Sequence, residues 1–69
     1  MSTGIVRSFD SMKGYGFIRP DDGSRDVIVH AATVAESGLE VLQVGQKVAY
    51  ILRHDPRTRK NAASELRPR

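Results

Sequence analysis

At 69 residues the chain has room for one small core and none for a second independently stable domain. Hydrophobic residues make up 39% and charged residues 28%, which argues against both a membrane-embedded chain and one too polar to fold. Cysteine is absent, so a disulfide framework and a cysteine-ligated zinc are excluded, and stability must come from packing and hydrogen bonds.

The net charge of +3 is unevenly spread. Residues 1–52 carry five basic against six acidic groups, whereas residues 53–69 carry Arg53, Arg57, Arg59, Lys60, Arg67 and Arg69 against Asp55 and Glu65. Eight of the eleven basic residues are arginine, whose planar fork suits phosphate and whose face suits stacking, so a polyanionic partner is indicated. A basic tail that merely aids solubility is the plainer alternative. The start of the sequence lacks a basic stretch followed by an apolar one, and the longest apolar run is Val48 to Leu52. Neither a secretory leader nor a membrane span is expected, and a cytoplasmic location is the default.

In chain order, residues 4–10 contain Ile5, Val6 and Phe9 and end in the polar pair Asp10-Ser11, the pattern of a strand and turn. Residues 13–19 form a second strand in which Tyr15 and Phe17, two apart, share a face. Pro20 and the turn residues Asp21-Asp22-Gly23-Ser24 lead into a β-branched third strand, residues 26–30, closing a hairpin. Thr33 three residues before Glu36 has capping-box spacing, and Gly38 is placed to end a short helical turn in the left-handed conformation. Leu39, Val41, Leu42 and Val44 are expected to plug one end of the core. Residues 47–53 form a fourth strand with Val48, Tyr50 and Leu52 inward, and residues 61–66 a weaker fifth after the basic loop Asp55-Pro56-Arg57-Thr58-Arg59. Five short antiparallel strands hide most of their edges by closing into a small all-β barrel.

Catalytic and metal-binding patterns are missing. His30 and His54 lie in different elements without ligand spacing, and Asp21, Asp22 and Asp26 are better explained as turn formers than as cation ligands. Gly14-Tyr15-Gly16 fits neither a phosphate loop nor a dinucleotide fold. The core face already holds Val6, Ile18, Val27, Val29, Val48, Tyr50 and Leu52, so Tyr15 and Phe17 are expected outside it, where flat bases could stack on them beside Lys13 and Arg7.

Lys13-Gly14-Tyr15-Gly16-Phe17-Ile18 resembles the first ribonucleoprotein motif of the bacterial cold-shock proteins, and Val27-Ile28-Val29-His30 a modified form of their second. The turn of residues 20–26, Gly38-Leu39 and Gly45-Gln46-Lys47-Val48 also match, and residues 55–60 with Ala63 and Leu66 are similar to the subgroup common in alphaproteobacteria. The resemblance implies a single cold-shock domain over residues 1–69 with a basic segment at 53–69. The implied fold is a five-stranded antiparallel oligonucleotide/oligosaccharide-binding barrel. The implied function is binding of single-stranded RNA or DNA with low sequence specificity, as an RNA chaperone in transcription or translation, with neither cofactor nor catalysis.

Residue by residue, the resemblance places Tyr15, Phe17 and His30 on bases, with Phe9 beside them supporting the platform. It sets Lys13, Arg7 (where the family has lysine), Arg57, Arg59 and Lys60 toward phosphates. Three positions depart from the family: Ser8 stands where it has tryptophan, Ile28 where it has phenylalanine, and Ala31 where another aromatic is common. The thinner stacking surface predicts a more electrostatic binder. An alternative reading is a diverged barrel serving as a protein-interaction module, since Ile5, Ile28, Ala31 and Ile51 put aliphatic groups outside. A monomer is expected, with weak self-association through Ile5 and Ile51 as the rival state.

Overall fold

β-Branched and aromatic residues alternating with polar ones form five strands in the computed structural model, which describes residues 2–39, 42–56 and 60–68. The strands are β1 (Ser2–Asp10), β2 (Tyr15–Pro20), β3 (Val27–His30), β4 (Lys47–Asp55) and β5 (Lys60–Pro68), and one short helix, α1 (Ala31–Glu36), follows β3. They close into a barrel in the order β1-β2-β3-β5-β4. Four of the neighbouring pairs are antiparallel, but β3 and β5 run parallel, with Ile28 opposite Ala62. The wholly antiparallel barrel expected from the sequence is thus corrected to a mixed one. The reason is parity: strand directions cannot alternate all the way round a closed ring of five.

The period-two pattern decides the inside. Val6, Ile18, Val27, Val29, Val48 and Tyr50 point into the barrel and are buried, joined by Val34 from α1, Leu42, and Ala63 and Leu66 from β5. Leu52, expected among them, is 46% exposed. The β4–β5 register slips between Tyr50 and Leu52, and β1 pairs with β4 only as far as Ser2 opposite Tyr50. Leu52 therefore lies past the closed part of the barrel, at its mouth. Val44, also expected inside, is 72% exposed because it occupies the tip of a turn closed by Gln46 N–H donating to the Gln43 carbonyl. Of the other residues expected to plug the core, Leu39 packs against it, Leu42 is buried, and Val41 lies outside the described residues.

The helix starts two residues before the expected cap. Its N-cap is His30, without a side-chain hydrogen bond, and Thr33 sits inside it. The amide of Ala31 is satisfied from a distance, donating to the Gly14 carbonyl at 2.8 Å, so the chain turns helical directly off β3 and has no need of a Thr33 cap. At the other end Gly38 takes φ +80 as expected. Ser37 Oγ donates to the Thr33 carbonyl and accepts from the Leu66 amide at 3.0 Å, tying the helix to β5.

Ile5 and Ile51 both face outward on neighbouring strands, each 38% exposed. The antiparallel register sets Ile5 opposite Lys47, four residues from Ile51, or about 13 Å along the strand. The shared apolar patch on which self-association was to rest does not form.

Tyr50 shows how the barrel mouth couples to pH. Burial raises the pKa of its phenol, and the carboxylates of Asp22 and Asp21 add to the effect. The proton is held more tightly in the folded state, so Tyr50 contributes stability below its ordinary pKa of about 10, and the contribution is lost as pH rises through the elevated value. Alkaline unfolding followed by circular dichroism is expected to move to higher pH in Tyr50→Phe; an unchanged midpoint would show that Tyr50 ionises as readily folded as unfolded.

Candidate nucleic-acid interface

The outward positions of β1, β2 and β3 line up in rows. Ser8 lies opposite Phe17, Phe17 opposite Ile28, and Ile28 opposite Ala62; in the next row Asp10 lies opposite Tyr15 and Tyr15 opposite His30. Tyr15 and Phe17 are half-buried and outside the core, while Gly16 and Ile18 between and beyond them are buried. Their ring centroids are 5.8 Å apart with the planes at 89°, an edge-to-face contact that holds both rings in place. A strand stacking on both rings has to turn between them.

The two glycines around Tyr15 have separate structural roles. Gly14 has φ +86 and closes the β1–β2 turn, where the Asp10 carboxylate accepts from the Met12 and Lys13 amides. Gly16 is where β1 and β2 press together: a Cβ there would fall 2.3 Å from the Ser8 carbonyl oxygen and 2.7 Å from the Phe9 Cα. That closeness lets Phe9 pack against the core, while it still lines one outer hollow with Tyr15 and Phe17.

Phe17 separates two hollows. One, of about 260 Å³, is lined by Ser8, Phe9, Asp10, Lys13 and Tyr15. The other, of about 270 Å³, lies toward Ile28 and is lined by Arg25, Asp26, His54, Lys60 and Asn61. Lys13 and Lys60 thus flank the aromatic face on its two sides. Arg57 and Arg59 lie outside the described residues.

Arg7 is engaged. The β1 register slips between Val6 and Ser8, and from this irregularity Arg7 reaches past β2 to pair with the carboxylate of Asp26. The Arg7 side chain is 67% exposed, so the pair is solvent-screened. Asp26 is therefore an ion-pair partner, not the turn former the sequence suggests. Asp22 does form a turn, accepting from the Ser24 amide, and hydrogen bonds from the Ser24 hydroxyl first and its amide second lower its pKa. Asp21 accepts from the Thr3 hydroxyl at 2.8 Å.

Three further polar residues, Arg25, His54 and Asn61, reach this face without any local sequence signal. Arg25 does so because it lies just before β3, and His54 and Asn61 only through barrel closure, which sets β5 beside β3. Among the described residues no helix is long and apolar enough to cross a membrane.

A family model described as 'Cold-shock' DNA-binding domain matches residues 2–68, and the chain belongs to that family. It is 48% identical over 67 residues to Cold shock protein CspA of Rhizobium meliloti (strain 1021), covering 97% of each chain. To Cold shock-like protein CspG of Escherichia coli (strain K12) it is 42% identical over 55 residues, covering 80% of this chain and 79% of the relative. The resemblance seen in the two ribonucleoprotein-like motifs is borne out, including its alphaproteobacterial character, and so is the all-β barrel.

Proposed function

We propose that this chain binds single-stranded RNA and DNA with low sequence specificity across the outer face of β1, β2 and β3, acting in the cytoplasm as an RNA chaperone in transcription or translation. The observation that carries the reading is the pair Tyr15 and Phe17, two aromatic rings held outside a core that is complete without them. Every base has a π face, so such rings accept any sequence, and His30, level with Tyr15, extends the platform. Lys13 and Lys60 at the flanks, with Arg7 released from Asp26, meet the backbone. The rival interaction-module reading would use Ile5, which shares a hollow with exposed Val44 but has Arg19 and Lys47 opposite it on the neighbouring strands.

Titrating labelled single strands at several salt concentrations tests the proposal. Saturable binding that weakens with salt is expected, and its absence would leave only the interaction module. Phe17→Ala and Tyr15→Ala should each weaken binding by about 1 to 3 kcal/mol with the circular dichroism of the barrel unchanged, as for exposed stacking residues. Unfolding of either variant would place its ring among the groups that hold the barrel together. Neutralising Arg57, Arg59 and Lys60 together should flatten the slope of log affinity against log salt by about 0.7 per lost phosphate contact. An unchanged slope would assign those charges to solubility.

A further inference from the structure

The hollow beyond Phe17 has a chemical character that stacking does not explain. Its far wall is a cross-strand pair on the β4–β5 hairpin, His54 opposite Asn61, with His54 Nδ1 and Asn61 Oδ1 3.3 Å apart. Its near wall is Phe17 and Ile28. Apolar flat surface on one side and an oriented amide on the other is the arrangement that reads a nucleobase by its edge.

We infer that this hollow is a single-base pocket that favours adenine, a reading that rests on the single-strand binding proposed above. In the tautomer that carries the proton on Nδ1, His54 donates to Asn61 Oδ1 and orients the amide. Its Nδ2–H₂ group is left to donate, and its oxygen keeps a second lone pair. Adenine offers the matching sequence, an amino donor beside a ring-nitrogen acceptor, the bidentate partner of asparagine. The base would lie against Phe17 and Ile28, with the Arg25 and Lys60 side chains at the rim toward its phosphates. About 270 Å³ is below the range of pockets for drug-sized ligands and suits one base. The Ile28 side chain, where the resemblance leads one to expect a ring, leaves the room.

The test compares a short oligouridylate with the same oligomer carrying one central adenosine, titrated by fluorescence against the full chain. The wild type is expected to bind the adenosine-bearing strand about fivefold or more tightly. Asn61→Ala should abolish that preference, so that the variant binds the two strands equally. His54→Phe, which keeps a ring at this exposed position but removes the hydrogen bond to Asn61, should also reduce the preference and provides a second variant should Asn61→Ala lose its fold. Equal binding of the two strands by the wild type, or a preference that survives both substitutions, overturns the pocket while leaving the stacking face intact. Failure of the wild type to bind either strand overturns the single-strand reading itself, and the pocket with it.

Discussion

Gly16→Ala is expected to destabilise the barrel by at least about 3 kcal/mol and to lower its thermal midpoint by roughly 10 to 25 °C. Of the three atoms that a Cβ would strike, the Ser8 carbonyl oxygen at 2.3 Å and the Phe9 Cα at 2.7 Å belong to the backbone of β1, so rotating the third, Phe9 Cδ1 at 2.8 Å, does not relieve the clash. Relief requires prising β1 from β2 at the Phe9–Gly16 pair, which also lifts Phe9 off the core. A domain of this length has a total stability of about 3 to 10 kcal/mol, so the loss is a large fraction of what holds it together. Gly14→Ala is the control: a Cβ there meets nothing within 4 Å, and only its φ of +86 is costly, at about 1 to 2 kcal/mol. Thermal unfolding followed by circular dichroism distinguishes the two. Equal midpoints for both variants would mean that β1 and β2 separate freely at Gly16.

What could be read in the linear sequence was whatever depends on neighbours within a strand. Alternation alone identifies Val6, Ile18, Val27, Val29, Val48 and Tyr50 as core, and a spacing of two puts Tyr15 and Phe17 together outside it. Alternation fails where the ladder slips: Leu52 follows the Tyr50/Leu52 irregularity on β4, and Arg7 lies in the Val6/Ser8 irregularity on β1, which turns it toward Asp26. Local capping patterns fail where a distant partner satisfies the same group. The Gly14 carbonyl does so for the Ala31 amide, and Thr33 is left without a cap to make. The parallel β3–β5 pair depends on how the chain crosses the barrel end, and nothing within either strand encodes it. The second hollow shares that origin: His54 and Asn61 meet Ile28 only because the ring closes. Half of the site is therefore written along β1 and β2, and the other half in the topology.

The thinned aromatic face makes a prediction of opposite sign to the first. Ser8 and Ile28 flank Phe17 on its two sides in one row, both off the core, so a ring introduced at either position joins the existing platform without displacing a buried side chain. Ser8 lines the hollow with Lys13 and Tyr15, which offers an indole room to lie against the face. Ser8→Trp with Ile28→Phe is expected to tighten binding of an oligouridylate by at least about tenfold, or 1.4 kcal/mol, since each stacked base is worth about 1 to 3 kcal/mol. Part of the nominal gain is offset by ordering two new side chains and the strand that covers them. Because stacking is insensitive to ionic strength and phosphate contacts are not, the gain should persist as salt is raised, with the slope of log affinity against log salt unchanged. A steeper slope would attribute the improvement to altered phosphate contacts instead. Unchanged affinity with unchanged stability would mean that bases do not travel along the Ser8–Phe17–Ile28 row, and the binding path would then have to run along Tyr15 and His30 alone.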